Sequence, residues 1–281
     1  MGAPKCGTTA LYTYLSEHPE IFMSPVKEPQ YFAQDIRGDR RRVRSLTEYL
    51  ACFSGAHEEK IIGEASTAYL GSKRAAEEIK AFAPDARIMI MLRNPADKMY
   101  SRFNDARFNN RESHQSFEAA LAAEARGGPT LGMGYRESAR YAPQVRRYVE
   151  HFGREKVHVI IYDDFREHTA LTYQKALGFL GLRHDDRSDF PVVNRRRYVR
   201  NMALQELVRE PPEVLQRFGR QVLSVGMRRY LRGWFSALNV ISTPPPPLSG
   251  DLRQRLAREF SDDIKELSQL LEQDLSRWSN G

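Results

Sequence analysis

Residues 1–15, MGAPKCGTTALYTYL, set two glycines five positions apart and run straight into a helical pattern carrying Leu11, Tyr12 and Leu15. Gly2 to Thr9 fit G-x-x-x-x-G-T-T. First-turn amides of a helix have no partner within it, and the helix dipole adds positive potential there, so such a turn favours an anion. Thr8 and Thr9 add hydroxyl donors, and Gly7 lets the backbone approach a ligand closely. A nucleotide triphosphatase loop reads G-x-x-x-x-G-K-[ST], with its lysine on the β- and γ-phosphates and its hydroxyl on magnesium. Thr8 stands where that lysine belongs, and the loop's own lysine is Lys5. The apolar run that should carry a metal-binding aspartate ends instead in Arg93, which repels magnesium and attracts phosphate. A nucleotide kinase or triphosphatase does not fit this loop.

Three runs read as strands: Lys60–Gly63, Ala86–Leu92 and Lys156–Tyr162. They are continuously apolar rather than alternating, the pattern of strands covered on both faces in a parallel sheet. Helical periodicity falls between and after them, over 72–83, 96–108, 115–126 and 137–152, with Ser72 as an N-cap and Pro84 as a stop. After residue 165 the chain reads as mostly helical. Pro244–Pro247 read as a rigid connector into a final amphipathic helix from Asp251 to Trp278. The expectation is an α/β, P-loop-like, three-layer fold: a central parallel sheet flanked by helices, a helical C-terminal part, and one domain over residues 1–281. Ligands then bind at the carboxyl ends of the strands.

The bulk numbers fit that picture. In 281 residues, 41% are hydrophobic and 28% charged, enough to bury a full sheet. An excess of 43 basic over 36 acidic residues gives a net charge of +7, which suits an anionic ligand and equally suits nucleic acid. Two cysteines, Cys6 and Cys52, make no disulfide framework, and seven histidines show no metal-ligand spacing, so no metal is expected. No apolar run is long enough for a membrane span and no signal peptide is evident, so a soluble cytoplasmic protein is expected.

The chain resembles the sulfotransferases that use 3′-phosphoadenosine 5′-phosphosulfate (PAPS). Their 5′-phosphosulfate loop, P-K-x-G-T-T-x-L, is matched by Pro4-Lys5-Cys6-Gly7-Thr8-Thr9-Ala10-Leu11. Their 3′-phosphate signature, R-x-P-x-x-[RK]-x-x-S-x-[FY], is matched by residues 93–103, from Arg93 through Ser101 to Phe103. The two motifs in this order are far more specific than either alone. HPEIFMSPVKEPQYF (18–32), GEASTAYL (63–70) and YAPQVRRYVEHFGREKVHVIIYDDF (141–165) are similar to segments of the carbohydrate, heparan-sulfate-type branch and its bacterial relatives. The second of these typically reads E-K-S-P-A-Y or G-E-A-S-P-x-Y. The likeness is loosest between residues 184 and 250.

The resemblance implies metal-free, in-line transfer of a sulfuryl group from PAPS to a hydroxyl or amine of a carbohydrate-like or small-molecule acceptor, releasing adenosine 3′,5′-bisphosphate (PAP). It implies that Lys5 meets the 5′-phosphate and the bridging oxygen. Cys6, Gly7, Thr8, Thr9 and Ala10 then cradle the 5′-phosphate, and Arg93 and Ser101 take the 3′-phosphate. Lys98 lends charge in place of the family's arginine. Glu28, in KEPQYF, is the implied general base. Glu64 and Tyr141 are the implied acceptor contacts, with Glu64 also the alternative base. Ala65 stands where some relatives carry a lysine. In the basic stretch 194–200, Arg197 and Arg200 are the implied further 3′-phosphate ligands. His18 reads as structural, and Cys6 has no redox role. Relatives carry several apolar residues of a first strand before the loop, whereas here only Met1 precedes Gly2. The first strand is therefore expected to be short, and an N-terminally extended chain to be more stable and to bind the cofactor better. The alternative is a basic nucleotide- or nucleic-acid-binding protein without transferase activity, disfavoured because its aromatics do not interleave with its basic residues. Acceptor choice falls to the loops 33–58, 109–136 and 225–248, including the basic Arg37–Arg42.

Overall fold

Short apolar runs build the sheet: β1 (Ile21–Met23), β2 (Ile61–Gly63), β3 (Ile88–Leu92) and β4 (Val157–Ile161). The computed structural model describes residues 1–36, 43–109, 111–128, 133–193 and 246–279, together with 198–199, 226–227 and 240–241. β1 pairs with β2 and β3 with β4, both in parallel. Met1–Ala3 extend the second pair: Gly2 bridges Met91 in parallel, Ala3 N–H donates to Met91 O at 3.0 Å, and the Met1 amine donates to Met89 O. A Cβ on Gly2 would stand 2.8 Å from Met91 N, so only glycine brings the two backbones this close. Among the described residues no ladder bond joins the two pairs, and a cavity of about 580 Å³ lies between β2 and β3, lined by Met1, Leu15, Ile61, Tyr69, Phe82 and Met89.

Helices cover the β3–β4 pair, as continuously apolar parallel strands require, while β2 is only part-covered and leaves Ile62 exposed. The helices are α1 (Thr8–Ser16), α2 (Leu46–Ala51), α3 (Ala75–Phe82), α4 (Pro95–Phe108), α5 (Phe117–Ala125), α6 (Ala142–Phe152), α7 (Tyr162–Glu167), α8 (Thr169–Leu180), α9 (Gly250–Glu259) and α10 (Ser261–Leu271). α4 begins where Asn94 Oδ1 accepts the Ala96 and Asp97 amides, with Pro95 in the first turn, where its missing N–H is harmless. The Ser72 hydroxyl accepts the amides of Arg74 and Ala75 just ahead of α3, whose N-cap is Arg74 and not Ser72 as expected. α6 packs on α3 and α10, and the buried Tyr148 hydroxyl ties it to Tyr69 O at 2.7 Å. α9 packs on α4, where Arg253 pairs with Asp97 at 2.7 Å. None of the described helices is long and apolar enough to cross a membrane.

Three further sequence expectations change. β1 was not foreseen, because its three residues, Ile-Phe-Met, are too few to show a pattern. The helix expected over 137–152 divides into a 3₁₀ turn, Glu137–Ala139, and α6, because Pro143 fits only a helix's first turn. The single helix expected over 251–278 breaks at Phe260, whose burial turns the chain so that Leu256 and Leu267 enter one core. It ends at Glu272, in the left-handed region, with the Gln273 amide returning to Ser268 O. Of the proline run, Pro246 and Pro247 carry no regular structure, while Pro244 and Pro245 lie outside the described residues.

α6 is capped from a distance. Asp263, on α10, accepts the amides of Tyr141 at 2.8 Å and Ala142 at 3.2 Å, and no cap from a neighbouring residue serves this helix. Asp263→Ala strands both donors in the core and is expected to lower stability by about 2 kcal/mol, read as a fall in the urea midpoint at unchanged slope.

Candidate functional site

The sheet register assembles the site. Leu92 pairs with Ile161, so the next residue on each strand, Arg93 and Tyr162, emerge side by side at the carboxyl edge. The Arg93 guanidinium lies over the Tyr162 ring, 4.9 Å from its centroid. Gly7 meets the same ring: its φ is +86°, and a Cβ there would come within 3.0 Å of Tyr162. Tyr162 is thus a floor shared by the opening loop and the end of β3. Sequence reasoning passed over it, although aligning the ends of the two apolar runs would have found it.

Arg93 is 8% exposed, and its Nε and Nη1 are buried without a hydrogen-bond partner among the described residues. A buried guanidinium with idle donors is costly unless a ligand completes it. Its backbone is held from behind: the Tyr141 hydroxyl donates to Arg93 O at 2.9 Å. That overturns the expected acceptor contact for Tyr141, which is 0% exposed and serves to fix Arg93.

Lys5, Cys6 and Gly7 form the turn into α1. Lys5 has φ +71°, in the left-handed region that a side chain adopts at a cost. Its ammonium reaches Asp105 on α4 at 2.7 Å. Asp105 follows half-buried Ser101 by one turn, so the face of α4 that bears Ser101 is turned to the loop. Thr8 and Thr9 open α1, where first-turn amides have no intrahelical acceptor. The Ala10 amide, by contrast, donates to Gly7 O at 3.0 Å, so it closes the turn instead of offering a donor. The Cys6 thiol is buried, and burial pushes its pKa up to about 12, consistent with an inert thiol. His18 is structural: it is buried and accepts the Glu20 amide on Nδ1.

Two further turns, after β1 and β2, are strapped together. The Glu28 amide donates to Ala65 O at 3.0 Å and the Gln30 amide to Ser66 Oγ at 2.9 Å. Glu28 and Gln30 both have positive φ, +61° and +56°. With Lys5, they account for three of the four described non-glycine residues in that region, the other being Glu272. The Glu28 carboxylate accepts from Lys27 Nζ on Oε1 at 3.0 Å, and from Thr67 Oγ1 at 3.0 Å and Gln30 Nε2 at 3.2 Å on Oε2. The Tyr12 hydroxyl, on α1, donates to Ser24 O and so ties the loop helix to the turn bearing Glu28.

Glu64 does not line an acceptor surface as expected. Both its carboxyl oxygens are buried and without a hydrogen-bond partner among the described residues, and they border the cavity between β2 and β3. Burial pushes its pKa up, and nearby Tyr69 and Ser66 only temper that shift. Arg197 and Arg200 lie outside the described residues.

Every element of this constellation follows the carboxyl end of a parallel strand, where open α/β sheets bind ligands. A sulfotransferase-domain profile matches residues 1–209. The chain belongs to the sulfotransferase family. Its structure is similar to the crystal structure of a sulfotransferase from Alicyclobacillus acidocaldarius, with a TM-score of 0.75 at 28% identity, covering 99% of this chain and 96% of that one. The sulfotransferase fold inferred from the sequence is therefore the observed one. By sequence the chain is similar to human carbohydrate sulfotransferase 15, at 31% identity over 37% of this chain and 26% of the relative. It is also similar to the bifunctional heparan sulfate N-deacetylase/N-sulfotransferase 1 of Caenorhabditis briggsae, at 24% identity over 60% of this chain and 21% of the relative. The chain thus spans about a quarter of the length of these curated relatives.

Lys98, in the position of the family's arginine, is 0% exposed and donates to Ser138 Oγ, which also accepts from Arg102 at 2.9 Å. Burial, reinforced by Arg102, lowers the Lys98 pKa to about 7, so near neutrality it is not the constant positive charge the sequence suggested. Between pH 7 and 10 the unfolded chain binds a proton at this lysine that the folded chain does not, so Lys98 weakens folding as pH falls across that window. The urea midpoint of Lys98→Met relative to wild type is therefore expected to be clearly higher at pH 7 than at pH 10. An equal difference at both pH values would contradict it.

Proposed function

We propose that this chain transfers the sulfuryl group of PAPS to a hydroxyl or amine of a carbohydrate-like acceptor, in the cytoplasm, without a metal. The observation that carries the reading is Arg93: a buried guanidinium with two donors idle among the described residues, on the same aromatic floor as a phosphate-type loop. That pair of anion sites fits the two ends of a doubly phosphorylated adenosine. Arg93, with Ser101 on the following helix, holds the 3′-phosphate. Lys5, Thr8, Thr9 and the first-turn amides of α1 hold the 5′-phosphate. Both cysteines are buried and unbridged, which suits a reducing compartment.

When bound, the donor supplies a sulfuryl group already joined to a good phosphate leaving group. The chain's part is positioning and electrostatics, as in phosphoryl transfer. Lys5 leaves Asp105, or shares it, to stabilise the charge gathering on the bridging oxygen as the S–O bond breaks. Glu28 takes the proton from the attacking hydroxyl or amine, and the new bond forms from that atom to sulfur. The carboxylate is suited to this because its donors are in place before the acceptor arrives. Arg197 and Arg200 remain proposed ligands from the 194–200 stretch.

Titration calorimetry with PAP tests the donor half. Arg93→Met is expected to weaken PAP about hundredfold, the loss of charge-assisted bonds to one phosphate. Unchanged affinity in that variant would overturn the reading. Glu28→Gln is expected to bind PAP as the wild type does yet to lose transfer, measured with labelled PAPS across a panel of glycosaminoglycans and small alcohols. Lys5→Ala is expected to lose transfer with a smaller loss of PAP affinity. Transfer by the wild type is expected to persist in excess EDTA.

A further inference from the structure

Glu28 is the only carboxylate of the strapped turns that meets side-chain donors on both oxygens among the described residues, and one of those donors comes from a distant strand end. Thr67 lies 39 positions along the chain, in the 3₁₀ turn Thr67–Gly71 after β2, and is 8% exposed. Its Oγ1 donates to Glu28 Oε2 at 3.0 Å. We propose that Thr67 is a positioning residue for this chain's transfer reaction, pinning Glu28 Oε2 so that Oε1 alone faces the incoming proton. The inference rests on the reading of Glu28 as the general base.

The lone-pair count supports it. An ionised carboxylate offers about two acceptor directions on each oxygen. Oε2 accepts from Gln30 at 3.2 Å and Thr67 at 3.0 Å and is filled. Oε1 accepts from Lys27 at 3.0 Å and, among the described residues, keeps one direction open. Gln30 and Lys27 belong to Glu28's own turn and move with it. Thr67 does not, so its bond fixes the carboxylate plane relative to β2 and, through the Ala65 and Ser66 straps, relative to the sheet. Without it, the carboxylate is free to turn about its last bond, and the open direction on Oε1 is no longer fixed. The left-handed backbone at Glu28 and Gln30 makes such an external tie more valuable, because the turn's own conformation is not self-supporting.

The test compares Thr67→Val, which keeps shape and removes the donor, with Thr67→Ser, which keeps the donor. With ¹³C-carboxyl-glutamate labelling and PAP bound, the Glu28 resonance is assigned by its loss in Glu28→Gln and titrated in each variant. The charged groups around it, Lys27, Glu64 and the Met1 amine, are common to all the variants. Losing a donor to the ionised form raises the pH at which the carboxylate protonates, so the Thr67→Val midpoint is expected to move up by about one pH unit. Thr67→Ser is expected to restore the wild-type midpoint. With an acceptor identified in the panel above, kcat is expected to fall roughly tenfold in Thr67→Val and recover in Thr67→Ser, with PAP affinity unchanged in both. An unmoved midpoint in Thr67→Val, or a serine variant as impaired as the valine one, overturns the role of Thr67. Full transfer by Glu28→Gln instead overturns the base assignment, and the titration still reports whether the Thr67 bond exists.

Discussion

The structure turns on a buried arginine, two of whose donors meet no acceptor among the described residues. A guanidinium taken out of water loses its hydration and must recover it from fixed acceptors. Arg93 recovers part from the face of Tyr162, and its backbone is clamped by Tyr141, whose own amide is held by Asp263 on α10. Those contacts hold the side chain still without filling its donors. The C-terminal helices therefore contribute to the anion site although none of their residues has been assigned to a ligand. The chain runs from Asp263 to Tyr141 to Arg93, and each link is a hydrogen bond between buried groups.

How much of this could be read from the sequence depends on whether a residue's role is local. The loop and the β3 end were legible because glycine, threonine and arginine at those spacings express backbone chemistry within a few residues. β3 and β4 were legible because strands covered on both faces are apolar throughout. Roles fixed by distant partners were not. Tyr141 has the same letters around it whether it meets a ligand or the carbonyl of Arg93. Glu64 gives no sign in its neighbours that it turns into the cavity between the strand pairs. Asp105 and Thr67 acquire meaning only when register and helix facing are known. The break at Phe260 escaped notice because an apolar residue continues an amphipathic pattern equally well whether the helix is straight or bent.

Two carboxylates near the same strapped turns show how environment separates like groups. The Glu64 carboxyl oxygens are buried without hydrogen-bond partners among the described residues, and burial raises the residue's pKa. Glu28 is ringed by a lysine, an amide and a hydroxyl. The contrast arises from the strap between residues 28–30 and 65–67, which places one side chain among donors and the other against apolar strand residues.

The left-handed backbone at Lys5, Glu28 and Gln30 also bears on any effort to harden this protein. A thermostabilising screen that rewards relaxed torsions would favour glycine at those three places, because glycine carries no steric penalty there. Each such gain would delete a side chain from the anion loop or from the turn that carries the carboxylate. On the proposed roles of Lys5 and Glu28, heat resistance and turnover are set against each other at these codons, and rounds of selection on melting alone would drift toward a sturdier, inactive chain.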